Sequence, residues 1–132
     1  MKEINIRTNS QVEMIDITAA VQKAIKEENV HNGYCIVFTP HTTAAVTINE
    51  NADPDVPRDI ITALEKAVPR NASYRHSEGN SPAHVKSSLV GASETVLIEN
   101  GRLVLGTWQS IFFCEFDGPR SRQVLIKSIA TG

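Results

Sequence analysis

The sequence predicts an α+β fold built mostly from antiparallel strands. Three observations carry this. Apolar residues at strand spacing open the chain, with Ile4 and Ile6 two apart. Helical spacing follows capping residues in three places, at Val21/Ala24/Ile25, at Ile60/Ile61/Leu64/Val68 and after Ser81-Pro82. From Thr95 onward the pattern is strand, broken by turn signals at Glu99-Asn100-Gly101 and Asp117-Gly118-Pro119. With 132 residues the chain has the length of one domain, spanning 1–132.

Each element has its own signal. After the extended opening, which includes Val12, Met14, Ile15 and Ile17, either Asp16 or Thr18 suits the start of the first helix. His31-Asn32-Gly33 ends it, because Asn and Gly accept the left-handed conformation. Tyr34 to Thr39 is a buried strand stopped by Pro40, and Thr42 to Asn49 is another, rich in β-branched residues. Asp53-Pro54 and Asp55 open the second helix, and Pro69 closes it. Arg70 to Asn80 is a polar loop. Ser81-Pro82 opens a short third helix that Gly91 ends. The strands Val96 to Ile98, Leu103 to Phe116 and Val124 to Ile129 complete the chain, and Trp108 is expected in the core.

Composition removes several function classes. Hydrophobic residues are 41% and charged ones 21%, with a net charge of -2, so disorder and a basic nucleic-acid-binding face are both disfavoured. The longest apolar stretches, such as Ile111 to Cys114, fall far below the roughly 20 residues of a spanning helix. Met1 to Asn5 has no apolar signal-peptide core, and cytoplasm is the expected compartment. Cys35 and Cys114 lie in apolar runs and are expected as buried thiols.

Polar residues that serve no periodicity mark three segments. His41 follows a strand-breaking Pro in Thr39-Pro40-His41-Thr42-Thr43, a position for an edge or cleft, and Asn49 to Asp53 follows with acids that also suit caps. Tyr74 to His84 holds His76 and His84. His84 would sit in a helix's first turn, where the positive dipole end favours a neutral imidazole fit for metal ligation or general-base work. The backbone N–H groups there also suit an anion. In the third segment Glu115 interrupts an apolar strand and is outward-facing, paired or in a site, while Arg120 is an exposed charge or an anion clamp. No phosphate-loop, dinucleotide or nucleophile-elbow pattern is present. The residues lead to a His/carboxylate/Arg site suited to a metal and an anion.

These segments also resemble the YjbQ family. Its first signature is matched by Pro40-His41-Thr42-Thr43-Ala44 with Ile48 to Asp55, and its second by Tyr74-Arg75-His76, Glu78-Gly79-Asn80-Ser81 and Ala83-His84. The third is matched by Gly101-Arg102-Leu103, Leu105 to Gln109 and Glu115 to Arg120, and Pro82 departs from an acid frequent in the family. The resemblance implies a β-sandwich flanked by helices and a homotrimer with sites near the subunit interfaces. It further implies secondary thiamine phosphate synthase activity, joining an aminopyrimidine methyl diphosphate to a thiazole phosphate with release of pyrophosphate. On that reading Arg120 and a divalent metal stabilise charge on the leaving diphosphate, and His41, His76 or His84 ligate the metal or protonate the departing oxygen. Asp53 and Glu115 orient the histidines or hold the metal themselves. Carboxylates and phosphates suit magnesium, whereas three histidines suit zinc. A metal-assisted hydrolase and a non-catalytic small-molecule binding module are the alternatives, and neither a membrane nor a nucleic acid is expected as partner.

Overall fold

A computed structural model describes residues 1–132. In chain order the elements are β1 (Lys2–Arg7), β2 (Glu13–Asp16), α1 (Thr18–Glu27), β3 (Gly33–Phe38), β4 (Ala44–Glu50), α2 (Asp55–Ala67), α3 (Ser81–Val90), β5 (Ser93–Glu99), β6 (Arg102–Leu103), β7 (Gln109–Glu115) and β8 (Ser121–Ala130). Every strand pairing is antiparallel. The strands form a five-stranded sheet in the order β1-β8-β3-β5-β6 and a three-stranded sheet in the order β2-β7-β4. This is the expected α+β sandwich.

The main core lies between the sheets. Cys35, Val37, Val96, Ile98, Val124 and Ile126 of the larger sheet meet Ala44, Val46, Ile111 and Phe113 of the smaller one, and Val21, Ala24 and Ile25 of α1 join the same cluster. A second cluster lies on the far face of the smaller sheet, where Ala45, Phe112, Cys114 and Phe116 pack with Ala83 of α3, and Leu64 of α2 leans against it. β7 is thus buried on both faces, which explains why its sequence is a near-continuous apolar run instead of an alternating one. Both cysteines are free and buried, and burial pushes the thiols of Cys35 and Cys114 up to about 11 and about 12. No helix is long and apolar enough to cross a membrane.

The element boundaries correct the sequence reading in three places. The stretch from Leu103 to Phe116 is two strands in different sheets, because a turn at Thr107-Trp108 carries the chain from β6 to β7. Trp108 lies on that turn and is 62% exposed, not in the core. The left-handed residue after α1 is Asn29 (φ 58), so the chain leaves the helix before His31-Asn32-Gly33.

The outer face of the larger sheet carries no helix. Strand alternation and register put Tyr34, Ile36 and Phe38 of β3 there, beside Leu97 of β5 and Leu125 and Ile129 of β8, with Thr95 and Lys127 flanking Ile36. Phe38 is 40% and Leu97 62% exposed.

Candidate functional site

At one end of the sandwich a polar network replaces the apolar core. Alternation points Glu115 of β7 inward, in line with Ile111 and Phe113, and Arg122 of β8 inward, in line with Val124 and Ile126. The two meet between the sheets as a buried ion pair, Glu115 at 0% and Arg122 at 3% exposure. Arg122 Nε donates to Glu115 Oε1 at 2.9 Å and Nη2 to Thr43 Oγ1 at 2.8 Å. Thr8 Oγ1 donates to Glu115 Oε1 at 2.7 Å, and the Asp117 N–H donates to Oε2 at 3.0 Å. Burial alone would raise the Glu115 carboxyl, but the Arg122, Asp117 and Thr8 hydrogen bonds outweigh it and hold the group below its ordinary value.

The network fixes the turn that follows β7. The Arg120 N–H donates to Thr8 Oγ1 at 2.9 Å, Arg120 Nε donates to the Asp117 carbonyl at 2.9 Å, and Nη2 reaches Asp117 Oδ2 at 3.0 Å. Asn80, just ahead of α3, donates from Nδ2 to the same Asp117 oxygen at 2.8 Å. Gly118 is required by space, since a Cβ there would meet the Ser10 carbonyl, the Glu115 side chain and Thr8 Oγ1. Much of the polarity from Glu115 to Arg120 therefore shapes a turn. Glu115 is paired and buried, not an orienting partner of the histidines, and Arg120 is tied to Asp117.

His41 lies beside this network. Burial lowers its pKa, the Arg122 charge lowers it further and Arg120 adds to that, while Glu115 pulls the other way. Its Nε2 accepts the Gln123 N–H at 2.9 Å, so the neutral ring carries its proton on Nδ1 and keeps that N–H as its free donor. A hollow of about 580 Å³ adjoins it, lined among others by Asn5, Arg7, His41, Ser121, Arg122 and Gln123. No acid lines it, and Arg7 has no carboxylate partner.

The other expected site residues lie in different settings. His76 and His84 stand edge to face with ring centroids 5.1 Å apart, and His76 Nε2 is 4.0 Å from Glu78 Oε2. Asp53 is exposed and receives the Asp55 N–H on Oδ1 at 2.9 Å, which makes it a helix-start residue. Asn51 ties its loop to Asp16 at 2.9 Å. No three His, Cys, Asp or Glu side chains form a group that could hold a metal. With His41 Nε2 occupied as well, the expected set of His41, His76 and His84 does not fit a magnesium or zinc site within one chain. Asn80 lies in the polar segment that the sequence marks, whereas Arg122 and Thr8 carry no such mark: Arg122 is legible only once β8 is extended two residues ahead of Val124 and its alternation followed.

Comparison with known proteins agrees with the fold and is silent on chemistry. A family model described as UPF0047 protein YjbQ-like matches residues 2–131. A UPF0047 protein of Methanocaldococcus jannaschii is 53% identical, covering 94% of this chain and 90% of that one. The UPF0047 protein YugU of Bacillus subtilis is 52% identical over 96% of this chain and 97% of its own. Among solved structures, an uncharacterized YjbQ/UPF0047 protein from Clostridium acetobutylicum superposes with a TM-score of 0.96 at 54% identity, covering 98% of this chain and 100% of that one. A YbjQ-like protein of unknown function from Sulfolobus solfataricus gives 0.94 at 32% identity, covering 98% and 96%. These relatives are named only as UPF0047 proteins or described as of unknown function, and none as a thiamine phosphate synthase. The expectation of thiamine phosphate synthesis is corrected on that ground.

Proposed function

The chain belongs to the UPF0047 YjbQ-like family, and from that premise and the geometry around His41 we propose an enzyme that assembles as a homotrimer and acts on a small anionic molecule. The observation that carries the reading is the hollow beside His41, whose lining offers the Arg7 guanidinium, held only by the Ser121 hydroxyl at 3.2 Å, the neutral His41 and no opposing carboxylate. A neutral imidazole that donates from Nδ1 stabilises negative charge without gaining a full charge of its own. Arg122, neutralised by Glu115 and locked to Thr43, keeps the floor of the hollow rigid.

The uncovered apolar face supports assembly. Arg7 and Gln123 lie on the same outer face as Phe38 and Leu125, so copies meeting there would bring the hollow beside a subunit boundary. We propose the cytoplasm as its compartment, where its two free thiols stay reduced.

The test is to incubate the purified chain with a small-molecule extract of cells and follow every compound by mass spectrometry. The wild type is expected to deplete an anionic compound with matching product formation, while His41→Ala and Arg7→Gln slow this by about 10²-fold. Depletion at equal rates by all three proteins, or by none, removes the enzyme reading.

A further inference from the structure

A second cleft lies on the other flank of the polar network, away from the reading above and independent of it. It has a volume of about 280 Å³ and is lined by Gln11, Arg70, Glu78, Asn80, Lys86 and Asp117 with apolar residues between them. That is just under the roughly 300 Å³ at which pockets for drug-sized ligands begin, so the space suits a small metabolite and not a dinucleotide.

Two of its groups are unusual for a surface groove. Lys86 on α3 is only 2% exposed, yet a Lys is seldom this deeply buried in a folded chain. Its ammonium pairs with Glu65 and stands 5.9 Å from the Phe116 ring centroid. That leaves donor capacity unused on a desolvated cation, which is costly unless something accepts it. Asn80 has the opposite want. Its amide nitrogen donates to Asp117, but its Oδ1 is buried without a partner.

The charges around the cleft are divided by sign. Arg70 Nε donates to Glu65 Oε2 at 3.0 Å and Nη1 to the neutral Gln11 Oε1 at 2.9 Å, so Lys86 and Arg70 share one carboxylate and their end keeps an excess positive charge. Burial would raise the Glu65 carboxyl, but its hydrogen bonds from Lys86 and Arg70 prevail and keep it ionised. Glu78, the Asp117 carboxylate, whose Oδ2 already accepts from Arg120 and Asn80, and the bare Asn80 oxygen make the other end acceptor-rich. We infer that this cleft binds a zwitterionic molecule of amino-acid size, its carboxylate on Lys86 and Arg70 and its ammonium on Asn80 Oδ1 and Asp117. A simple anion would satisfy Lys86 and leave the Asn80 oxygen bare, and a simple cation would do the reverse. A ligand with both charges a few atoms apart satisfies both.

The experiment titrates the full chain with each proteinogenic amino acid, followed by ligand-observed NMR and calorimetry. At least one is expected to bind, with its N-acetyl and its amide derivatives each weaker by about tenfold or more. Lys86→Met, which keeps the buried stem and leaves Glu65 its Arg70 partner, is expected to abolish the binding. Should that variant not fold, Arg70→Gln, at a half-exposed side chain, is expected to weaken the same ligand by about tenfold. The inference is overturned if no amino acid binds, if capping either charge leaves affinity unchanged, or if a folded Lys86→Met or Arg70→Gln binds like the wild type.

Discussion

Glu115 shows how much a single residue can organise. Its carboxylate holds Arg122 between the sheets and receives the Thr8 hydroxyl and the Asp117 N–H, so removing it leaves a buried guanidinium without its counter-ion. Glu115→Ala is expected to cost about 3 kcal/mol, read as a lower midpoint in urea unfolding. The pH dependence has a definite sign. A carboxylate held below its ordinary 4.5 adds stability that is present above that value and is lost as pH falls through the lower native value. Acid titration of the wild type should therefore show a loss below about pH 4.5 that is smaller in Glu115→Ala, where only Asp16, Glu28, Glu65 and the other lowered carboxyls still contribute. The sequence marks Glu115 plainly, as one acid in an apolar run. It does not mark Arg122 or Thr8, because their partnership depends on β1, β7 and β8 meeting across two sheets. His41 is the other legible residue: its place after Pro40 indicates an edge position, and only the Gln123 contact shows which ring nitrogen is free.

At the scale of elements, local signals serve where the local pattern is strong. α3 runs from Ser81 to Val90 because Pro82 suits a helix start and Gly91 (φ 107) suits its end. The turn at Thr107-Trp108 is hidden from periodicity, since apolar residues continue on both sides of it. Its exposed Trp is equally hidden, for nothing in the local pattern distinguishes a tryptophan on a turn from one in a strand. The Asp117-Gly118-Pro119 turn is legible as a turn but not as a packed one. Gly118→Ala would drive a methyl group against Thr8 Oγ1, 2.8 Å from its ideal position, and against the backbone of Ser10. A loss of about 2 kcal/mol is expected in denaturant unfolding, with weaker ligand capture at His41 as the turn shifts. An unchanged midpoint would mean that the turn is loose and does not position Arg120.

For the whole molecule, alternation within the strands and the turns between them suffice for an antiparallel α+β chain. They do not show that α2 and α3 cover only the smaller sheet, which follows from packing across many residues. That asymmetry matters most for function, since it leaves Phe38, Leu97 and their neighbours open and sets Arg7 and Gln123 at the edge of the same face. The measurement to make is sedimentation velocity at micromolar concentration, comparing the wild type with a Phe38→Asp, Leu97→Asp double variant. The wild type should sediment with three times the chain mass and the variant, still folded by circular dichroism, with the chain mass alone. A wild type that sediments as a single chain would contradict a site completed at the boundary between copies.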